Sequence, residues 1–160
     1  MTNPRSIPEP GPISKKRLRL WLKLLKTSRL IEDELRRRLR SDLGSTLPRF
    51  DVMSALARAP EGLKMSEISR KLRVSNGNVT GIVDTLAAEG LALRVPVPED
   101  RRASLVCLTA RGRAVFAEQA ATHEAWIDAM LGGLDAEDID GMARRLDHLV
   151  QTLKERGHDA

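Results

Sequence analysis

The sequence predicts a mainly α-helical fold that carries one small β-wing, and three observations support this prediction. Residues 63–89 contain two short helical patterns that are joined by a turn. Two β-rich runs follow at 91–97 and 104–108, and a charged loop separates them. Before and after this segment, apolar residues recur at the steps of three and four that mark long helices. The resulting order, α-α-α-α-β-β-α-α, is that of a helix-turn-helix followed by a β-wing, which places one helix in a DNA groove and a basic loop beside it.

Capping residues and glycines set the boundaries of the predicted helices. Gly44 ends the first helix, and Thr46 can cap the second, in whose first turn Pro48 is tolerated. Ser75 is a good cap for the fourth helix, and Thr109 for the fifth. The predicted helices cover 15–43, a second stretch that stops near Pro60, 65–72, 76–89, about 110–131, and a sixth that begins after Asp135. Pro98–Arg101 is the predicted wing tip.

Composition and charge exclude several classes of protein. The net charge of +5 and the pI of about 9.9 favour a polyanionic partner, whereas 2% aromatic residues and no Tyr argue against a stacking surface for single strands. No apolar run is long enough to span a membrane. Residues 1–14 hold four prolines and predict a disordered tail rather than a signal peptide, so we expect a cytoplasmic protein. The single cysteine, Cys107, excludes an intramolecular disulfide and a multi-cysteine metal site.

The fourth helix has the features of a helix that enters the major groove. Its apolar residues share one face, and the opposite face carries small or hydrogen-bonding side chains. Asn76 and Asn78 can bond adenine edges, Thr80 can touch a thymine methyl group or a phosphate, and Ser75 can bind phosphate at the helix start. The alternative to a DNA-reading helix is a solvated surface helix whose Asn and Ser serve only as caps. The predicted inward residues are Val79, Ile82, Val83 and Leu86, and the outward ones are Gly77, Gly81, Asp84 and Ala88.

Basic residues surround this helix. Arg70, Lys71 and Arg73 flank the turn and are predicted phosphate contacts, with a solvated face as the alternative. The wing offers further arginines that suit the narrow minor groove of A·T-rich DNA, unless the hairpin is charged only for solubility. The wing arginines are Arg94, Arg101 and Arg102.

Two segments closely resemble the MarR family of bacterial winged-helix regulators. They are SNGNVTGIVDTLAAEGL and PEDRRASLVCLTARG, of which the second carries the family's Asp-x-Arg at Asp100 and Arg102 and its Leu-Thr at 108–109. The resemblance covers roughly residues 15–155. It implies that Asp100 pairs with an arginine and holds the wing in shape. Two departures stand out: Lys64 replaces the usual Ser or Thr cap of the third helix, which deprives Glu67 of its capping-box partner, and neutral Thr85 replaces a common Arg or Lys.

The outer helices carry more apolar surface than one small reading head can cover, which argues for a dimer. The resemblance implies the same, since the terminal helices of two subunits interlock in this family. We therefore predict a disordered tail at 1–14, a winged helix-turn-helix at 46–109, and a helical dimerisation region made of 15–45 and 110–156. A two-fold homodimer predicts double-stranded DNA with an inverted repeat, whose half-sites lie about 10 bp apart.

The resemblance further implies a repressor that a small molecule releases, bound where the dimer helices meet the reading head. The chain looks similar to the subgroup that controls catabolism of aromatic acids, so the expected effector is an aromatic acid or an aryl-coenzyme A thioester. Core or dimer packing is the alternative for each candidate residue, and pairing with Glu32, Asp33 and Glu34 is the alternative for the arginine run 36–40. The candidates are Trp21, Leu25, Ser28, Arg29, Arg36, Phe50, Met53, His123 and Trp126.

Other classes fit less well. Cys107 lies in a wing strand rather than at a basic helix start, which disfavours a peroxide switch, and the three histidines are too scattered for a metal site. No motif for nucleotide binding or nucleophilic catalysis is present, so we expect no enzyme and no cofactor. The serious alternative is a winged-helix adaptor that binds proteins without reading DNA. An activator, or a regulator without an effector, also stays open.

Overall fold

The computed structural model describes residues 11–158, without the side chains of Arg101 and His158. The first ten residues of the predicted tail lie outside this range. Within it the chain forms six helices and three strands. The elements are α1 Ser14–Leu43, α2 Leu47–Ala57, β1 Leu63–Lys64, α3 Met65–Leu72, α4 Asn76–Ala88, β2 Ala92–Val97, β3 Asp100–Leu108, α5 Ala110–Leu131 and α6 Ala136–His158.

The predicted caps are confirmed at every helix for which one was named. Gly44 ends α1 in the left-handed conformation at φ 57°. The side-chain oxygens of Thr46, Ser75, Thr109 and Asp135 each accept a hydrogen bond from the backbone N–H three residues on, at 3.3, 3.3, 2.9 and 2.8 Å. These bonds satisfy backbone donors that the first helical turn leaves open, which is why local sequence sets the boundaries so well.

The start of α3 corrects one expectation. Lys64 supplies no side-chain cap, because an ammonium group cannot accept a hydrogen bond. Glu67 nevertheless keeps a partner: its Oε2 accepts the backbone N–H of Lys64 at 2.7 Å. The substitution at 64 therefore removes one of the two capping-box bonds and leaves the other in place.

The sheet is larger than the sequence predicts. A third strand, β1, pairs antiparallel with β3, so that the order is β1-β3-β2. The sequence does not reveal β1, since two residues are too few to show alternation. In addition, β3 begins at Asp100 and not at Ser104. Pairing jumps from Pro96–Ser104 to Val97–Asp100, which leaves 101–103 as a bulge beside a tight turn at 98–99.

The core lies between the sheet and the inner faces of α2, α3 and α4. The predicted alternation in β3 is confirmed, because Val106 and Leu108 are buried and their neighbours are only partly so. From α5, Phe116 packs on this core, and its ring lies 5.4 Å from that of Phe50. The core residues are Val52, Met53, Leu56, Leu63, Ile68, Val79, Val83, Leu86, Leu91, Ala92, Val106 and Leu108.

By its internal contacts the chain divides into two compact units, residues 1–120 and 121–160. The second unit contains α6, whose apolar residues recur at helical spacing and are exposed: Ile139, Met142, Leu146, Leu149, Val150 and Leu153. None of the helices within residues 11–158 is both long and apolar enough to cross a membrane.

An ion pair joins the start of α2 to the end of α4. Arg49 Nη1 donates to Glu89 Oε1 at 2.8 Å, and Nη2 donates to the second carboxylate oxygen. The hydrogen bonds from the guanidinium lower the pKa of Glu89 below its usual value. A carboxylate with a lowered pKa stabilises the fold above its unfolded pKa, and this contribution is lost as the pH falls through the folded value.

We expect Glu89→Gln to lower the free energy of unfolding by about 1 kcal/mol at pH 7, a figure kept small because the pair is partly solvent-screened. The difference from the wild type should shrink as the pH falls below about 4.5. Urea unfolding at pH 7 and at several acidic pH values measures this. Glu61→Gln changes an exposed glutamate that has no ion pair with any described residue, and it should have no effect. Equal stability of Glu89→Gln and the wild type at pH 7 would show that the pair does not stabilise the fold.

Candidate nucleic-acid interface

Helices α3 and α4 meet at a tight turn whose geometry is locked. Arg73 adopts a left-handed conformation at φ 53°, which is unfavourable by about 1 kcal/mol for a residue other than glycine. Two bonds hold it: the Val74 N–H donates to Ser69 O at 3.2 Å, and Ser69 Oγ donates to Val74 O at 2.5 Å. The angle between the two helices is therefore set by the backbone of the turn, as a helix-turn-helix requires.

The inner face of α4 anchors the helix. Val79, Val83 and Leu86 are fully buried, and Ile82 is half-buried, which confirms the predicted inward residues. The outward face is almost bare. A Cβ atom added at Gly77 or at Gly81 would meet no atom within 4 Å. This face can consequently approach a flat or concave surface more closely than a helix with longer side chains could.

Polar groups rim this bare face at the start of α4. Asn76 and Asn78 are exposed, so their amides face solvent. Ser75 Oγ is engaged as the helix cap, which leaves its proton available for a phosphate. Thr80 Oγ1 donates to Asn76 O at 2.8 Å, so its methyl group and a lone pair remain for an outside partner. Arg70 and Lys71 are exposed in the last turn of α3, just before the turn.

The structure connects the wing to α4 through an ion pair. Arg94 Nη2 donates to Asp84 Oδ1 at 2.6 Å, and both side chains are exposed. Arg94 lies in β2 opposite Val106, well away from the wing tip. The sequence shows Arg94 only as a wing arginine and Asp84 only as an outward residue of the helix. No local signal reveals their pairing, because tertiary structure alone brings α4 beside β2.

Asp100 organises the wing turn through the backbone. Its Oδ1 accepts the N–H of Arg102 at 3.0 Å, and the Arg102 side chain is exposed. The family resemblance implies that Asp100 pairs with an arginine. The bond observed comes from the main-chain N–H of Arg102 and not from its guanidinium. Arg101 lies in the bulge of β3, and its side chain is outside the described part of the structure.

Known proteins share this arrangement of a helix-turn-helix and a wing. A model described as MarR family matches residues 43–103. A MarR family transcriptional regulator from Silicibacter pomeroyi has 29% sequence identity and a TM-score of 0.74, over 89% of this chain and 99% of that one. This chain is similar to the MarR family. The expected absence of enzymatic activity agrees with that family, whose members regulate transcription.

Two further known proteins are similar to this chain. The transcriptional activatory protein BadR of Rhodopseudomonas palustris is 27% identical over 139 residues, which span 85% of this chain and 79% of BadR. Sco3205 of Streptomyces coelicolor, solved in complex with DNA, shares the fold with a TM-score of 0.75 and 22% identity, over 91% of this chain and 92% of that one.

The residues predicted to bind an effector have diverse surroundings in this chain. Phe50 and Met53 are buried at 7% and 0% exposure, as the packing alternative expects. Trp21 is 56% exposed on α1, and Ser28 and Arg29 are exposed on the same helix. In α5, beyond residue 120, His123 is half-buried and Trp126 is buried.

The arginine run of α1 is largely neutralised. Arg36 bonds Glu32 and Asp33, each at 3.0 Å, and Glu34 is shared by Arg37 at 2.7 Å and Arg38 at 2.6 Å. Hydrogen bonds from these last two arginines lower the pKa of Glu34 to about 2. The pairing with carboxylates that the alternative reading expects is therefore present at 36–38. Within the described residues, no group of three His, Cys, Asp or Glu side chains is placed to hold a metal.

Proposed function

We propose that this chain is a homodimeric, sequence-specific regulator that represses transcription until a small anionic aromatic molecule releases it from DNA. The observation that carries the DNA-reading part is the bare outward face of α4, which amides and exposed cations rim. A solvated helix gains nothing from glycine at 77 and 81, since each weakens the helix by roughly 1 kcal/mol relative to alanine. Close approach of α4 to a DNA groove explains why glycine occupies both positions.

Base recognition is assigned to the first turns of α4. The amides of Asn76 and Asn78 can form paired hydrogen bonds with adenine, and the methyl group of Thr80 can contact thymine. Phosphate binding is assigned to Arg70, Lys71 and the Ser75 hydroxyl, because these groups lie at the positive end of the helix dipole or next to it.

The wing is assigned to the minor groove. Arg102 is exposed beside a turn that Asp100 holds in place, and Arg101 precedes it in the bulge. For Arg94, the bond to Asp84 supports a positioning role, in which it holds the wing against the reading helix, in place of the direct groove contact that the sequence suggests.

The dimer is supported by apolar surface that a single chain leaves uncovered. Along α6 the six apolar residues are 42–58% exposed, and on α1 Leu18, Trp21 and Leu22 are 53–57% exposed. At about 25 cal/mol per Å² such area favours association strongly. We assign 15–45 and 110–156 to the dimer interface, and the two reading heads to an inverted repeat with half-sites about 10 bp apart.

An aromatic acid is a better candidate for the effector than an aryl-coenzyme A thioester. The nucleotide part of coenzyme A carries several phosphates, and the arginines at 36–38 that would face them already bond carboxylates. The sign of regulation is tested by in vitro transcription from a promoter that holds the operator. BadR bears the name of an activator, so increased transcription in that assay would overturn repression and leave DNA reading intact.

Binding to a labelled operator duplex, followed by fluorescence anisotropy across a salt series, tests the assignment of contacts. We expect Arg70→Ala to weaken binding to all duplexes and to reduce the slope of log affinity against log salt by about 0.9. Asn78→Ala should keep the slope and lose about 1–3 kcal/mol of preference at one base pair of each half-site.

Arg58→Ala is the matched control, because it removes an exposed arginine that lies outside both the proposed DNA contacts and the proposed dimer interface. Its affinity and slope should equal those of the wild type. A wild type that binds operator and scrambled duplexes equally weakly would favour the adaptor reading over the regulator.

A further inference from the structure

Helix α4 has two flanks, and the wing contacts only one of them. On that flank Arg94 of β2 donates to Asp84. Ile82 lies about 200° away from Asp84 around the helix axis, and it lines a groove on the opposite flank. The groove has a volume of about 640 Å³ and lies where the end of α1 and the start of α2 meet α4. The side of α4 that faces away from the wing therefore borders an open groove.

A helix in the major groove of DNA has a phosphate backbone on each side. The major groove is about 12 Å wide and a helix with its side chains is about 10–12 Å across, so both backbones come close to the helix. Asn78 and Gly81, which lie on the face to which DNA reading is assigned, also line the groove beside α4. In the proposed mode of DNA binding, the backbone on the side away from the wing would therefore run along this groove.

The groove carries positive charge. Arg36 and Arg40 line it one helical turn apart on α1. The charge of Arg36 is balanced by Glu32 and Asp33, whereas Arg40 is exposed and makes no ion pair with any residue that the structure describes. The start of α2 also lines the groove and adds the positive end of an 11-residue helix. An anion is therefore favoured here.

One buried hydroxyl at the groove has no hydrogen bond. Ser45 lines the groove and is 4% exposed, and its Oγ has no partner among the described residues. Its backbone N–H is satisfied by Leu39 O at 2.9 Å, so the unsatisfied group is the side chain alone. A buried hydroxyl without a partner is unfavourable, and such groups commonly mark a missing ligand, ion or water. A bound acceptor would complete this site.

On α4 itself this flank offers no cation. The groove-lining residues of α4 are uncharged, namely Gly77, Asn78, Gly81 and Ile82. Thr85 follows one helical turn beyond Gly81, and its hydroxyl donates to Gly81 O at 3.0 Å. A phosphate on this side of the reading helix must therefore be held from α1 and α2.

We infer that the groove binds one phosphate of the DNA backbone in each half-site, on the side of α4 that faces away from the wing. Arg40 donates to the phosphate oxygens, the Ser45 hydroxyl donates to them directly or through one water, and the positive end of α2 faces the same group. With both flanks of α4 tied to a backbone, the depth and register of the helix are fixed. The inference rests on the proposed DNA-reading role of α4 and adds a contact to those assigned to Arg70, Lys71 and Ser75.

The first test compares variants of the full chain on the operator duplex by anisotropy across a salt series. Arg40→Gln should bind about tenfold more weakly, and the slope of log affinity against log salt should fall by about 0.9 for each contacted phosphate. Arg40→Lys keeps the charge and should keep most of the slope. Ser45→Ala should bind about threefold more weakly with an unchanged slope, because it removes a neutral donor. The preference for the operator over a scrambled duplex should be the same in all three.

Stability and assembly separate a contact with DNA from a structural role. Ser45→Ala removes a buried hydroxyl that has no partner, so its free energy of unfolding should not fall below that of the wild type. Arg40→Gln should unfold like the wild type, because Arg40 is exposed. Sedimentation should show dimers for both, since the exposed apolar residues 18–22 that support the dimer lie at the other end of α1. Arg58→Gln removes an exposed arginine outside the groove and the proposed dimer interface, and its operator affinity should equal that of the wild type.

Replacing single phosphates of the operator by neutral methylphosphonates locates the contact. The wild type should lose affinity at one position of each half-site on the side of α4 away from the wing. At that position Arg40→Gln should lose nothing further, because the partner of the phosphate is already absent, and the two changes are then non-additive. At the phosphates contacted by Arg70 or Lys71, the wild type and Arg40→Gln should lose affinity equally.

Three outcomes would overturn this inference alone. Wild-type affinity and slope for Arg40→Gln, with operator binding intact, would remove the groove as a phosphate site and leave the proposed function standing. A lower slope for Arg40→Gln, with additive losses at every methylphosphonate, would assign Arg40 a long-range effect of charge and no contact. Loss of the dimer or of stability in Arg40→Gln and in Ser45→Ala would assign both residues a structural role. Failure of the wild type to bind any operator would instead remove the proposed function, and the inference with it.

Discussion

Replacing Gly81 by glutamate is expected to leave the fold intact and to abolish DNA binding. A Cβ atom added at 81 meets no protein atom within 4 Å, so a side chain can leave α4 there without a clash at its base. Glycine also weakens a helix interior, and Gly81→Glu should therefore unfold within about 1 kcal/mol of the wild type. On DNA the same side chain would bring a carboxylate between two phosphate backbones. Like-charge contacts at an interface are unfavourable by several kcal/mol, so we expect at least about a 100-fold loss of operator affinity.

Gly11→Glu is the control for this change. Gly11 lies before α1 and outside the proposed dimer interface, and a Cβ atom added there also meets no atom within 4 Å. The two variants carry the same net charge, and only Gly81→Glu alters the reading face. Circular dichroism establishes that both are folded, and anisotropy on the operator compares them. Wild-type affinity of Gly81→Glu would mean that the outward face of α4 does not contact DNA.

The largest effect on stability is expected from Gly112→Ala. Gly112 lies in the first turns of α5, where alanine would ordinarily stabilise a helix by about 1 kcal/mol. Here the new Cβ would lie 1.9 Å from Leu91 O and 2.8 Å from Leu91 C, both of which are backbone atoms that no side-chain rotation can move away. The start of α5 would have to shift from the chain that enters β2. We expect a loss of about 3 kcal/mol.

Urea and thermal unfolding measure this loss, which for a chain of this size lowers Tm by roughly 6–12 °C. Gly81→Ala is the matched control, because it makes the same change in a helix where the Cβ meets nothing. It should raise the stability by up to about 1 kcal/mol. Opposite signs for two identical substitutions would establish that contact with Leu91, and not helix propensity, decides the outcome. A Gly112→Ala protein as stable as the wild type would contradict the close approach.

The sequence predicts the helices well because their boundaries depend on local chemistry. A cap such as Thr46 or Asp135 bonds an amide three residues away, and the inward face of α4 follows from spacing within 13 residues. The resemblance to the MarR family extends this local information to the order of the elements, and the family match confirms it.

The features that the sequence does not reveal depend on contacts between distant parts of the chain. Strand β1 exists only because β3 pairs with it, and the early start of β3 follows from its register with β2. The pairing of Arg49 with Glu89 spans 40 residues. For the same reason, no pattern in the sequence brings Ser45 and Arg40 together with Gly81 around one groove, and the effector residues chosen from the sequence include one, Met53, that belongs to the core.

In the proposed mode of DNA binding, the two faces of α4 have different roles. Three fully buried residues anchor the helix, the locked turn at Arg73 sets its direction, and the bond between Asp84 and Arg94 ties it to the wing. The outward face is thereby free to carry glycine and asparagine, which suit an interface better than they suit an isolated helix. In the proposed mode of DNA binding, stability comes from one face of α4 and recognition from the other.

DNA reading through α4 is tested by selecting binding sites from a pool of random duplexes, with the wild-type chain and with Gly81→Glu in parallel. We expect the wild type to enrich an inverted repeat whose half-sites are centred about 10 bp apart, and Gly81→Glu to enrich nothing. Enrichment of no sequence by a folded wild type, or of the same repeat by Gly81→Glu, would contradict the claim that a dimer of this chain reads DNA through the outward face of α4.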